Sequence, residues 1–407
     1  MLAVNKKSEV LSANTIIEKL FEKATLSPVL PDIIKNATNI LIILPDITRK
    51  CGAKKFLKNI ISLIKENNKV FSIIFATGTH RSLEYSEMTY IIGEEVFEEE
   101  KQHIIKHTSE DLKNHIYYGK TKHGTPVLLN KAFFDNDTII IISAVSYHYF
   151  AGFGGGKKLI LPGIAATSAV INNHKLVLDE VRKCRNPLAT TGNIKLNPVN
   201  DDIIEAVIMA TKNKTIFAIN TIIDSNGNIV DLTCGELFIS HINLCNRLKE
   251  ITSFEVTDKY NILFVSCGGF PADINMIQAQ KSLNRVENIV NDGGIIFFFA
   301  RCRDGFGNDY FKDFFKYKSS KEMFKALLED YKINRQTAYS LKINTERFKV
   351  YLYSDFTEKE SLQMGFKKLR KIEDISTFDF KGEKAGIVPE AYNSYFSLDK
   401  LSDSSDS

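Results

Sequence analysis

Residues 148–174 read HYFAGFGGGKKLILPGIAATSAVINNH: a histidine, four glycines within five positions, two adjacent lysines and a second histidine sixteen residues past Lys158. Glycines at 154, 155 and 156 allow close backbone approach and can present successive N–H groups to an anion such as a phosphate. The stretch is not a Walker A loop. Gly152 to Gly156-Lys157 is one residue short of G-x-x-x-x-G-K, and Lys158 stands where Ser or Thr would hold magnesium. Lys158 is instead a nucleophilic amine beside two imidazoles. His174 shares a helical face with Val170, Val177, Leu178 and Val181, so it is expected to point inward, as a core histidine or as a metal ligand. Further up the chain, Asp46 and Arg49 of PDITR and His80 of TGTHR add a carboxylate, a fixed cation and another acid/base candidate. The remaining histidines, His103, His107, His115, His123 and His241, sit in polar helix or loop settings and read as surface residues.

These residues need a frame that gathers them. Short Ile/Val/Phe runs at 39–44, 71–76, 137–145, 261–266 and 293–300 have the pattern of strands buried on both faces, and amphipathic stretches such as AKKFLKNIISLIKEN separate them. The fold class is α/β, with two domains, mostly parallel sheets and an active-site cleft at the carboxyl ends of the strands. That placement follows from the loops. PDITR, TGTHR, SYHYFAGFGGGKK and CGGFPADINMIQAQK each follow a strand. Asn226-Gly227 between two apolar runs predicts a hairpin. The expected domains are 1–255, rejoined by 385–407, and 256–384; the tail LSDSSDS has no fold-forming pattern.

A chain of 407 residues with 44% hydrophobic content is too long for one core. Lys plus Arg number 53 against 49 Asp plus Glu, scattered without blocks, so there is no footprint for nucleic acid. No apolar run approaches membrane-spanning length, and the first ten residues lack a secretory apolar region. Six cysteines show neither C-x-x-C pairs nor disulfide spacing, which suits reduced thiols in a cytoplasmic protein.

Taken together, DITR (46–49), ATGTHR (76–81), HYFAGFGGGKKLILPGIA (148–165), NNH (172–174) and GGFPADINMIQAQKSL (268–283) resemble the nickel-dependent lactate racemase family and its 2-hydroxy-acid racemase and epimerase relatives. The resemblance covers most of the chain, with the motifs in family order. It implies an isomerase carrying a nickel-pincer nucleotide, the pyridinium-3-thioamide-5-thiocarboxylic acid mononucleotide with Ni(II), attached to Lys158 and made by dedicated maturation enzymes. His174 would be the protein's nickel ligand, and His80 and His148 the acid/base pair. Asp46, Thr77, Gly78, Gly154, Gly155 and Gly156 would line the cofactor. Arg49, Gln278 and Lys281 would hold a small 2-hydroxy acid.

Two rival readings follow from the same residues. His80, His148 and His174 as three ligands of zinc would make a hydrolase, which leaves Lys158 and the glycines unexplained. A nucleotide-binding homologue without turnover would have no need of both acid/base histidines. The resemblance has two departures that bear most on substrate: Ile277 stands where lactate racemases often place tyrosine, and the chain has no tryptophan.

Overall fold

The computed structural model describes residues 9–224 and 226–398. The LSDSSDS tail lies outside the described residues. The chain divides into two compact units, residues 9–177 with Leu188–Glu250, and Leu178–Pro187 with 251–398.

The N-terminal unit is built on a six-stranded sheet in the order Ile229–Gly235, Thr215–Ile223, Thr138–Ala144, Asn39–Pro45, Val70–Ala76, Ile104–Ile105. All neighbours are parallel except the first pair, the hairpin expected around Asn226-Gly227. Ile40, Ile42 and Leu44 on one face and Leu41 and Ile43 on the other are all fully buried, so both faces of the sheet are covered. Helix Leu57–Glu66 shows how the covering layer is encoded: Leu57, Ile60, Ile61 and Ile64 recur at helical spacing and are the residues it buries. They join Ile16, Leu20 and Ile34 of two earlier helices against Ile40, Ile42 and Leu44.

Strand order places the site. From Asn39–Pro45 the chain adds strands on one side (Val70–Ala76, Ile104–Ile105), then returns to add Thr138–Ala144 and Thr215–Ile223 on the other. The order therefore reverses between Asn39–Pro45 and Thr138–Ala144. At such a switch point the loops leaving the carboxyl ends diverge and open a crevice.

The C-terminal unit holds an all-parallel five-stranded sheet in the order Lys367–Lys368, Lys349–Tyr353, Val290–Phe299, Tyr260–Ser266, Ala385–Val388. Residues 385–398 do not rejoin the first domain as expected from sequence. Ala385–Val388 pairs with Tyr260–Ser266, and Tyr395–Leu398 pairs with Ser253–Val256, so hydrogen bonds of both strands tie this segment to the C-terminal unit. The order here reverses between Tyr260–Ser266 and Ala385–Val388, which makes their carboxyl ends the switch point of this unit.

Candidate active site

Three loops carry the chemistry in the N-terminal unit, and hydrogen bonds tie them to one another. After Asn39–Pro45 the chain turns, with the Arg49 N–H donating to the Asp46 carbonyl at 3.1 Å. Asp46 is 5% exposed, and its carboxylate is fully used: Oδ1 accepts from the Thr48 hydroxyl at 2.6 Å and the Thr48 N–H at 3.1 Å, and Oδ2 meets His80 Nδ1 at 2.5 Å. Burial alone would raise this carboxyl, but the His80 hydrogen bond and charge, the Thr48 hydroxyl and Arg49 more than offset it and hold Asp46 below the ordinary range. A carboxylate can only accept, so His80 carries its neutral-state proton on Nδ1 and presents Nε2 as a lone pair.

The loop bearing His80 is pinned to the end of the glycine segment. The Gly78 N–H donates to the Gly163 carbonyl at 2.8 Å, and the Gly163 N–H donates to the Lys158 carbonyl at 3.0 Å. Thr77 is buried at the start of this turn.

Next comes a small antiparallel ribbon, Ser146–His148 with Gly152–Gly154. At its tip the Ala151 N–H donates to His148 Nδ1 at 3.2 Å. His148 thus holds its neutral-state proton on Nε2, the tautomer opposite to that of His80. Arg49 lies along the ribbon, with Nη1 3.4 Å from Ser146 Oγ, and a Cβ on Gly154 would stand 2.9 Å from the same nitrogen.

The glycines do more for the protein than the sequence suggested. Gly155 and Gly156 have left-handed φ of 84° and 53°. A Cβ on Gly155 would lie 2.5 Å from the Ala144 carbonyl oxygen, and one on Gly156 2.7 Å from the His241 ring. What approaches this backbone closely is protein packed behind it.

Lys158 follows in a short 3-10 turn, 7% exposed, with its ammonium 5.6 Å from the centre of the Phe150 ring. Phe150 gathers the rest. His148 meets it edge-on at 4.5 Å and His174 at 4.9 Å between ring centres. His174 sits in helix Thr167–Lys175, half-buried, with both ring nitrogens away from solvent and neither hydrogen-bonded. Burial, reinforced by the Lys158 charge, pushes its pKa down to about 3, so the imidazole is neutral with a free lone pair. His107 and His115 also leave Nε2 buried without a hydrogen bond, but His174 leaves both ring nitrogens so.

The helix face proposed for His174 needs correction. Val170, Val177 and Leu178 are buried, but the helix ends at Lys175 and Val181 is 92% exposed. Three histidines read as surface residues are also buried: His107, His115 and His241. Their polar sequence neighbours hid them. Phe150 and Thr48 were not singled out either.

In the C-terminal unit, Gln278 and Lys281 lie on helix Met276–Val286 after strand Tyr260–Ser266. Lys281 Nζ donates to Gln278 Oε1 at 2.6 Å, and the Tyr392 hydroxyl donates to the same oxygen at 3.3 Å. An ammonium cannot accept, so the carbonyl end of Gln278 faces Lys281 and its NH₂ end is turned away, as a donor for a carboxylate or hydroxyl. Tyr392 stands just past Ala385–Val388, on the other side of this unit's switch point.

Among the described residues, no three His, Cys, Asp or Glu side chains are grouped to hold a metal ion. The three-histidine zinc site read from the sequence is therefore not formed. His80 is committed to Asp46 and His148 accepts from Ala151, while His174 alone has both nitrogens buried without a partner.

The buried pair His107 and His115, edge-on at 5.6 Å, gives this unit an acid sensitivity. Burial, with the neighbouring His115, depresses His107 to about 4. The unfolded chain, with an ordinary histidine, then binds more protons than the folded one between about pH 6.5 and 4, so stability falls as pH drops through that window. Denaturant unfolding at pH 7 and pH 5 should differ by about 2 kcal/mol from this group. In His107→Gln the difference should shrink by that amount; an unchanged difference would contradict the assignment.

Residues 1–185 match the lactate racemase N-terminal domain and residues 256–379 the lactate racemase C-terminal domain. Lactate racemase of Thermoanaerobacterium thermosaccharolyticum is 32% identical over 308 residues, 75% of this chain and 70% of that protein. Lactate racemase of Lactiplantibacillus plantarum is 29% identical over 303 residues, covering 74% and 69%. The solved lactate racemase apoprotein from T. thermosaccharolyticum superposes with a TM-score of 0.86 at 27% identity, over 96% of this chain and 94% of that one. The chain belongs to the lactate racemase family, and it is an isomerase of the racemase type.

Proposed function

We propose that this racemase inverts the carbinol centre of a 2-hydroxy acid with a nickel-pincer nucleotide held at Lys158 and His174. The observation that carries the reading is His174: a neutral imidazole with both nitrogens buried and unpartnered, beside the charge of Lys158. No cluster of protein ligands accompanies it among the described residues, which suits a metal that arrives with its own donors. Lys158, at the end of the glycine segment and nearly buried, would carry the covalent link. When bound, the nucleotide would supply Ni(II) and a hydride-accepting carbon, with His174 as the protein's ligand to the metal.

The chain's own residues handle the proton and the carboxylate. His80, its Nδ1 proton fixed by Asp46, offers Nε2 to the substrate hydroxyl. His148 begins as an Nε2–H donor, suited to the oxygen of a planar keto acid. To serve as acceptor for the opposite enantiomer it must move that proton to Nδ1 and give up the Ala151 contact, worth about 1 kcal/mol. Arg49, beside the Ser146–His148 ribbon, offers a bidentate fork for the carboxylate. The two relatives named lactate racemase support a substrate of this class. The maturation enzymes expected from the resemblance would supply the cofactor, and a cytoplasmic location fits six free thiols.

The test is a panel of lactate, malate, and larger aliphatic and aromatic 2-hydroxy acids, each deuterated at C2, given to nickel-loaded enzyme. Inversion with deuterium kept at C2 is expected, because the hydrogen travels as hydride. With Ile277 in the position of tyrosine, lactate should not lead the panel; one methylene in such a pocket is worth only about 1–3 kcal/mol, so the preference should be graded. Complete exchange of the C2 deuterium with solvent would replace the hydride route by direct proton abstraction, and lactate leading by more than tenfold would show that Ile277 does not matter.

A further inference from the structure

The glycine segment that carries Lys158 uses left-handed backbone at Gly152, Gly155 and Gly156, a conformation that glycine adopts without strain but does not by itself hold in place. Something behind it must fix it. Two strands and one helix provide that support. Ser143, on Thr138–Ala144, accepts from the Gly156 N–H at 2.7 Å and donates to Asn220 Oδ1 at 2.9 Å on the neighbouring strand. Asn220 Nδ2 in turn donates to Ser240 Oγ at 3.1 Å, on helix Leu237–Thr252. Ser143, Asn220 and Ser240 are all fully buried.

The next residue of that helix, His241, closes the other side. It is 2% exposed, and its Nε2 lies 2.9 Å from the Gly154 carbonyl oxygen. The ring occupies the space that a Cβ on Gly156 would need. One helical turn on, Cys245 Sγ lies 3.6 Å from His241 Nδ1. Burial raises this thiol to about 12 and, with the Lys157 charge, lowers His241 to about 3, so both groups are neutral at working pH. A carbonyl can only accept, so the His241 proton is on Nε2, and Nδ1 receives the thiol S–H.

We propose that His241 is a positioning residue: by donating to the Gly154 carbonyl and packing on Gly156 it holds the glycine segment in the one shape that presents Lys158 for attachment and leaves Gly154 open to Arg49. The chain of contacts runs from Cys245 through His241 to the loop, and from the loop to both the cofactor lysine and the substrate cation. The proposal rests on Lys158 as the attachment site, and the test separates the two.

The experiment compares wild type, His241→Phe, His241→Gln and Cys245→Ala by hydrogen exchange of the 152–158 backbone in the apo chain, and by intact mass after coexpression with cofactor maturation enzymes. In His241→Phe, loop amides should exchange roughly tenfold faster or more while the strands Asn39–Pro45 and Thr138–Ala144 keep their protection. The Lys158 adduct should fall at least severalfold. His241→Gln keeps an N–H donor and should recover most of both. Should the Phe variant fail to fold, Cys245→Ala leaves the imidazole in place and should show a smaller rise in loop exchange alone. Wild-type exchange and wild-type adduct in His241→Phe would overturn the proposal, as would unchanged loop exchange in Cys245→Ala where only that variant folds. A wild-type protein that takes no adduct would count against the Lys158 attachment, while the exchange comparison would still decide the role of His241.

Discussion

His80→Ala and His148→Ala are each expected to lower racemase turnover by about 10²–10⁴-fold, the range for removing a positioned general acid or base, with cofactor still bound. The basis is the pair of opposite resting tautomers. His80 gives its Nδ1 proton to a carboxylate whose remaining oxygen is held by Thr48, and His148 takes an N–H from Ala151. His80 therefore presents Nε2 as a lone pair, and His148 carries its neutral-state proton on Nε2. His80 is largely exposed while His148 packs on Phe150, so a melting curve of each variant, read beside turnover, separates a folding defect from a catalytic one. Asp46→Asn offers a sharper check on His80. An amide can satisfy His80 Nδ1 only as a neutral acceptor, so turnover should fall with the histidine still present. Full turnover in Asp46→Asn would remove the orienting role from the carboxylate, and full turnover in either histidine variant would remove that residue from the reaction.

The second large effect is on metal. His174→Ala should lose essentially all nickel while the fold persists, because neither imidazole nitrogen makes a hydrogen bond whose loss would cost stability. Removing an ordinary, satisfied core histidine would do the reverse, costing on the order of 1–3 kcal/mol and leaving metal content unchanged. Nickel measured against chain concentration, together with a melting curve of the apo protein, separates the two. Wild-type nickel with a lowered melting temperature would return His174 to the core.

Much of this site was legible because its strands are buried on both faces. Runs such as ILIIL at 40–44 and IIII at 139–142 have no polar residue to alternate, and the loops that follow their strands stand out by contrast. Asp46, Arg49, His80, His148 and Lys158 could thus be placed at strand ends from sequence. Periodicity carried His174 one step too far. Val181 matches the helical spacing, but the chain leaves this unit after Val177, and a helix face has no meaning beyond the end of the helix. His241 was missed although a signal existed: Leu237, Leu244, Cys245 and Leu248 stand four before it and three, four and seven after it, and all are buried. A histidine on an apolar helix face reads as surface only if its immediate neighbours, not its face, are consulted. The return of 385–398 had no such signal. A four-residue strand in a parallel sheet pairs with a partner more than a hundred residues away, and nothing local encodes that choice.

The most direct measurement is the intact mass and nickel content of the chain coexpressed with nickel-pincer maturation enzymes, beside Lys158→Ala made the same way. Wild type should gain one sulfur-containing mononucleotide, mapped by peptide mass to Lys158, with roughly one nickel per chain and racemase activity toward a 2-hydroxy acid. Lys158→Ala should show no covalent gain. A wild-type chain that racemises with neither nickel nor added mass, or a Lys158→Ala chain that gains the same covalent mass, would contradict the account.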